Sequence, residues 1–257
     1  MMRIRPLLCL SLLVAGAHAA AAATYEMADL KALEKQGSWQ ELVEHLEDIP
    51  PSKRNAEWQG IAERGCTSYL GTFEIKEDRD AALPLEEMGR LLKRYAFLKQ
   101  SRPFMAKRAE VGLKSFQYSY SLSRHNRGDD KWLTGLEEFV QADTVTTDLP
   151  LRAAKLVVSR LVADTAFPFF KMALARSGKA VCKEPEFHQT LVATLDEGVW
   201  LPEVTEIVQK TCWNEVKGPL LAALGKSESD SYREHVCPAL QAKNALNAEL
   251  KAKCEAK

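Results

Sequence analysis

The strongest constraint on this chain is one recurring pattern: apolar residues three and four apart, opened by a capping residue and closed by glycine or proline. Ser38-Trp39-Gln40-Glu41 reads as a capping box, Trp39, Leu42, Val43 and Leu46 follow at helical spacing, and Pro50-Pro51 ends the run. Before it, Leu30 and Leu33 share one face of a short helix ended by Gly37. Ser52 is placed to cap a helix carrying Trp58, Ile61, Ala62 and Tyr69, and Pro84 opens one carrying Leu85, Met88, Leu91, Leu92 and Tyr95. Pro103 opens a helix through Phe116 and Tyr120. Asp148 and Pro150 open another, with Leu156, Val157 and Leu161, and Pro168 kinks or restarts it. Residues 186–195, 202–224 and 231–246 and a short helix near Leu250 continue the pattern. Strand-like alternation is absent, so the expected class is all-α, with about ten or eleven helices in antiparallel hairpins. Such hairpins assemble as a compact bundle or as an irregular solenoid.

The N-terminus reads as a secretory signal. Arg3 and Arg5 precede the apolar stretch Leu7–Val14, and Ala17-His18-Ala19 and Ala21-Ala22-Ala23 both offer a small-x-small cleavage box. The apolar stretch is shorter than the ~20 residues a spanning helix needs, and Cys9 sits wrongly for lipid attachment. Removal of residues 1–23 is expected to leave 24–257 as a single all-helical domain, with 128–150 as the place where it would subdivide. Export to the periplasm or outside the cell implies an oxidising compartment. The exported chain retains Cys66, Cys182, Cys212, Cys237 and Cys254. Helices folded back about Gly198 bring Cys182 to the height of Cys212, and a turn at Ala245-Leu246 does the same for Cys237 and Cys254. Those two bridges are expected, with Cys66 free. The rival arrangement joins Cys212 to Cys237 and Cys182 to Cys254.

Charge is distributed in blocks. From Lys93 to Arg127, nine cations (Lys93, Arg94, Lys99, Arg102, Lys107, Arg108, Lys114, Arg124 and Arg127) face one acid, Glu110, a net of +8. Residues 25–92 hold 8 basic against 15 acidic side chains, a net of −7, and 152–183 hold seven against one, a net of +6. Tyr95, Phe97, Phe104, Phe116, Tyr118 and Tyr120 interleave with the first basic block. Cations among aromatic rings suit an anionic envelope polymer, a lipid surface or an acidic protein. The same pattern arises when rings face a core and cations face solvent, and Phe116 and Tyr120 four apart fit that arrangement.

Gly37-Ser38-Trp39, Leu42, Leu46 and Pro50, followed by Trp58-Gln59-Gly60-Ile61-Ala62, resemble a tetratricopeptide repeat over about residues 26–70. The resemblance implies a helical-repeat shape and a protein-binding surface. Gly65 stands where the repeat places Tyr, and no second copy follows at a ~34-residue period. Trp39 and Trp58 serve equally well as ordinary core anchors.

Catalytic motifs are missing from the sequence. It contains no Cys-x-x-Cys, His-Glu-x-x-His, Gly-x-Ser-x-Gly, Ser-x-x-Lys or phosphate-binding Gly-x-x-x-x-Gly-Lys. Glu228-Ser229 resembles the Glu-Ser pair of lytic peptidoglycan enzymes but lacks their downstream Gly-Leu-x-Gln. His45 with Glu41 and Glu44 reads as a solvated helix face rather than a metal site. The expectation is an exported, non-catalytic scaffold for a protein partner, needing no cofactor and binding no nucleic acid. The alternatives are a polyanion or membrane-surface binder using 93–127, and an enzyme with dispersed catalytic residues.

Overall fold

The computed structural model describes residues 24–123, 131–159, 163–196 and 207–226, together with 234, 237, 238, 240–244, 246 and 248–255. Residues 1–23 with the expected leader, Arg124, His125, Arg127, Leu161, Gly198 with its expected turn, Glu228-Ser229, His235 and Ala245 lie outside these residues. The described chain is helical throughout, without strands, and divides into two compact units, Met1–Ile61 and Ala62–Lys257.

The first unit contains α1 (Met27–Gln36), α2 (Trp39–His45) and the opening turns of α3 (Ala56–Gly71). Asp29 caps α1 by accepting the Glu26 N–H at 2.7 Å. Gly37 ends the helix at φ 74°, a left-handed conformation that any side chain would strain. The turn sends the Gly37 N–H to Glu34 O and the Ser38 N–H to Leu33 O, at 3.1 and 3.0 Å. The capping box expected at Ser38 does not form: the Ser38 side chain makes no cap bond, and the Glu41 carboxylate accepts the Tyr25 hydroxyl at 2.6 Å instead. Asn55 caps α3, not Ser52, because Pro51–Lys53 is itself a 3-10 turn; Asn55 Oδ1 accepts the Trp58 N–H at 3.0 Å. Leu30, Leu33, Leu42, Val43, Leu46, Ile49, Trp58 and Ile61 are buried. The Trp58 indole N–H donates to Leu46 O at 3.1 Å, tying α3 to the end of α2.

The second unit holds the rest of α3 and then α4 (Ala82–Arg94), α5 (Arg102–Ser123), α6 (Lys131–Ala142) and α7 (Leu149–Val158). It continues through α8 (Phe167–Ser177), α9 (Pro185–Asp196), α10 (Trp213–Lys226) and α11 (Ala248–Glu255). Buried Ser101 caps α5: its Oγ accepts the Phe104 N–H at 3.2 Å and donates to Glu63 at 2.6 Å. Pro150 and Pro168 lie in the first turns of α7 and α8, so Pro168 restarts the chain as a new helix. Val157, Phe167, Phe169, Phe170, Phe187 and Leu191 belong to the main apolar core, with the Phe170 and Phe187 rings 5.1 Å apart. Between α5 and α6 the Phe139 ring presses against Gly112. A Cβ on Gly112 would lie 2.1 Å from Phe139 Cζ, so only glycine leaves room for that ring.

Both expected cysteine pairs stand as disulfides. Cys182 and Cys212 have Cα atoms 5.2 Å apart, and Cys237 and Cys254 are 5.7 Å apart. Cys182 sits in the 3-10 segment Gly178–Lys183 ahead of α9, and Cys212 immediately precedes α10, its carbonyl accepting the Glu215 and Val216 N–H groups at 3.0 Å. Cys66 is free and buried on α3, where loss of solvation pushes its thiol pKa up to about 12.

Candidate functional site

The basic segment separates into two populations. Lys93 and Arg94 close α4, Lys99 lies in the 3-10 turn Ala96–Gln100, and Arg102 opens α5; all four are exposed. Ten residues of chain that reverse direction through one short turn thus hold four cations at one corner. Lys93 and Arg94 meet the negative end of α4, whereas Arg102 gains nothing from the positive end of α5. The other cations are built into the helices. Lys107 is half-buried, 3.4 Å from Glu110, and Lys114 is half-buried on α5. The Arg108 guanidinium lies over the Phe139 ring, 4.0 Å from its centroid.

The aromatic residues of this segment serve packing. Tyr95 and Phe104 are buried, Phe116 meets Phe139 edge-on at 5.3 Å, and Tyr120 meets Trp132 at 5.1 Å. At the corner itself, the Arg94 guanidinium lies over the buried Tyr95 ring, 5.5 Å from its centroid, and Tyr95 meets Phe97 at 6.2 Å. In the second basic block Lys155 bridges Glu184 at 2.7 Å and Glu186 at 3.5 Å and Arg176 donates to Val140 O at 2.8 Å, while Lys171, Lys179 and Lys183 are exposed.

A polar group gathers at the C-terminal end of α6. Asp143 is fully buried, and its Oδ1 accepts the Val145 and Thr146 N–H groups at 3.0 and 2.9 Å. Arg176 holds the Val140 carbonyl, while Arg108 lies on Phe139 within the field of Asp143. Burial pushes the Arg108 guanidinium below its usual pKa and the Asp143 charge partly offsets this. Asp143 and Arg176 fix the end of α6, and Arg108 is taken up by its packing on Phe139 beside them.

Sequence reasoning missed a second constellation, in the first unit. The Tyr25 ring stacks on His45 with centroids 3.7 Å apart and planes at 15°. The Tyr25 N–H donates to Asp48 Oδ2 at 3.2 Å, and His45 Nδ1 lies 2.9 Å from the same oxygen. These two bonds hold the Asp48 carboxyl below its usual range. A cleft of about 350 Å³ opens beside them, lined by Thr24, Tyr25, Glu26, Met27, Asp48, Ile49, Pro50 and Lys53. The only signal in the sequence was the i,i+3 spacing of His45 and Asp48; Tyr25 arrives from about twenty residues upstream.

No helix among the described residues is long and apolar enough to cross a membrane. Among the same residues no three His, Cys, Asp or Glu side chains converge as a metal site. Comparison with known protein families, with curated proteins and with solved structures finds no match to this chain.

Proposed function

We propose that this chain is an exported, non-catalytic helical module that serves as a protein-interaction scaffold in the cell envelope, presenting the cationic corner of Lys93, Arg94, Lys99 and Arg102 to an acidic partner. The observation that carries the reading is the contrast within one segment. Lys107 and Arg108 are committed to contacts within α5 and α6, whereas Lys93, Lys99 and Arg102 are held exposed between the end of α4 and the start of α5. Exposed like charges repel one another and add little to stability, so their clustering favours an external partner of opposite sign. Two disulfides and the leader-like N-terminus support export. Polyanion or lipid-surface binding through the same corner is the second reading, favoured by the same exposed charges.

A triple charge reversal, Lys93→Glu with Lys99→Glu and Arg102→Glu, tests both. Under the scaffold reading, the wild-type chain recovers a stoichiometric protein partner from envelope extracts and the variant loses it. Salt-sensitive retention of wild type alone on heparin or anionic vesicles, without a protein partner, transfers the corner to the polyanion reading. Equal behaviour of the two chains removes the corner from function.

A further inference from the structure

The Tyr25 clasp lies directly after the second cleavage box, Ala21-Ala22-Ala23. Three carboxylates already surround Tyr25. Glu41 accepts its hydroxyl, Asp48 accepts its N–H, and Asp29 holds the N–H of the next residue. The hydrogen bond to Glu41, then loss of solvation and then the charges of Glu41, Asp29 and Asp48 raise the Tyr25 phenol above its usual pKa. Glu26 and Asp48 also line the cleft that Thr24 borders, and Lys53 is the cation lining that cleft. His45 faces the group through its contact with Asp48.

We propose that removal of the leader after Ala23 completes this clasp: maturation itself, by freeing the Thr24 α-amino group, places a cation among these carboxylates and locks the N-terminal unit. Hydrolysis adds water across the Ala23–Thr24 bond, with hydroxide going to the Ala23 carbonyl carbon and a proton to the Thr24 nitrogen. A neutral amide becomes an amine that is protonated at neutral pH. Covalent geometry keeps that nitrogen within about 7 Å of Asp48 Oδ2, since Tyr25 N is already bonded to this oxygen. Cleavage after Ala19 instead leaves four further residues, which carry the ammonium up to ~13 Å along the chain and out of this field. In the precursor the same nitrogen is an uncharged amide attached to an apolar leader. The N-terminal unit is then held less firmly until the leader is gone, which suits a chain that must cross a membrane unfolded. The inference rests on the export reading.

The test begins with the intact mass of the exported protein, expected to start at Thr24. Three forms of the mature chain are then compared: one beginning at Thr24, the same chain Nα-acetylated, and one retaining residues 20–23. The free Thr24 chain is expected to show an upward shift of its α-amino pKa above the ordinary ~7.7–8.0, and slower exchange of the Tyr25 amide than the other two. Asp48→Asn should reduce the pKa shift more than Glu26→Gln, which spares the Tyr25 N–H acceptor. A start upstream of Thr24, or equal Tyr25 exchange in the free and acetylated chains, overturns the proposal while leaving export intact. Retention of Met1 in the exported protein overturns export itself.

Discussion

Phe139 shows how much one residue can depend on its neighbours' size. Its ring lies against Gly112, beneath the Arg108 guanidinium and beside Phe116, three residues spaced four apart on α5. Gly112→Ala is therefore expected to push α5 from α6 and cost about 1–3 kcal/mol, the usual range for overpacking a tight contact. Urea unfolding of the purified chain measures it, and a cost within error of zero would show that the helices yield freely. The spacing Arg108, Gly112, Phe116 was visible in the sequence, but nothing there says that a Phe from the following helix fills the gap. Arg108 was consequently read as a binding cation. Its neighbours Lys93, Lys99 and Arg102 are exposed as their composition suggests, because helix ends and turns leave long side chains in water. Residue type alone does not separate the two cases; the partner helix does.

Helices were the most legible level. Proline and glycine punctuation placed most of their boundaries, since a proline ring belongs in a first turn and Gly37 adopts a conformation that other residues resist. Caps were less legible. Ser38 and Ser52 have suitable side chains, yet Asp29 and Asn55 make the bonds, because an i,i+3 match says nothing about competing acceptors or an intervening 3-10 turn. Disulfide pairing was readable because each pair lies nearly symmetrically in sequence about an expected turn, a relation that survives errors in helix boundaries. Replacing both Cys182 and Cys212 by Ser, which opens a closed loop spanning 30 positions, is expected to destabilise the second unit by about 3 kcal/mol. Thermal unfolding with and without the bond checks this, and unchanged unfolding would mean that the surrounding helices hold Cys182 and Cys212 together unaided.

At the scale of the whole molecule, covalent reinforcement is one-sided. Both disulfides belong to the second unit and lie beyond residue 181, while the described part of the first unit relies on caps, the Trp58 anchor and the Tyr25 clasp. Reduction is therefore expected to speed proteolytic cleavage beyond Cys182 and leave cleavage within residues 24–61 unchanged. Peptide mass mapping over time, with and without reductant, reads both regions at once, and equal acceleration in the two would show that they open together. The division at Ile61 was not legible in the sequence, because the boundary falls inside α3, a helix that continues unbroken through Gly60 and Gly65.

Cys66 gives the connectivity a temporal side. The two bridges lie one after the other along the chain without interlocking, so an oxidase joining thiols in order of emergence would make both correctly if Cys66 were absent. With Cys66 present, the first available partner for Cys182 is the wrong one. If the chain is exported N-terminus first, as proposed above, burial of α3 before Cys182 appears keeps Cys66 out of reach. The long intervening stretch, α4 to α8, provides the interval for that burial. On that reading folding order, as well as thiol spacing, guards the native pairing.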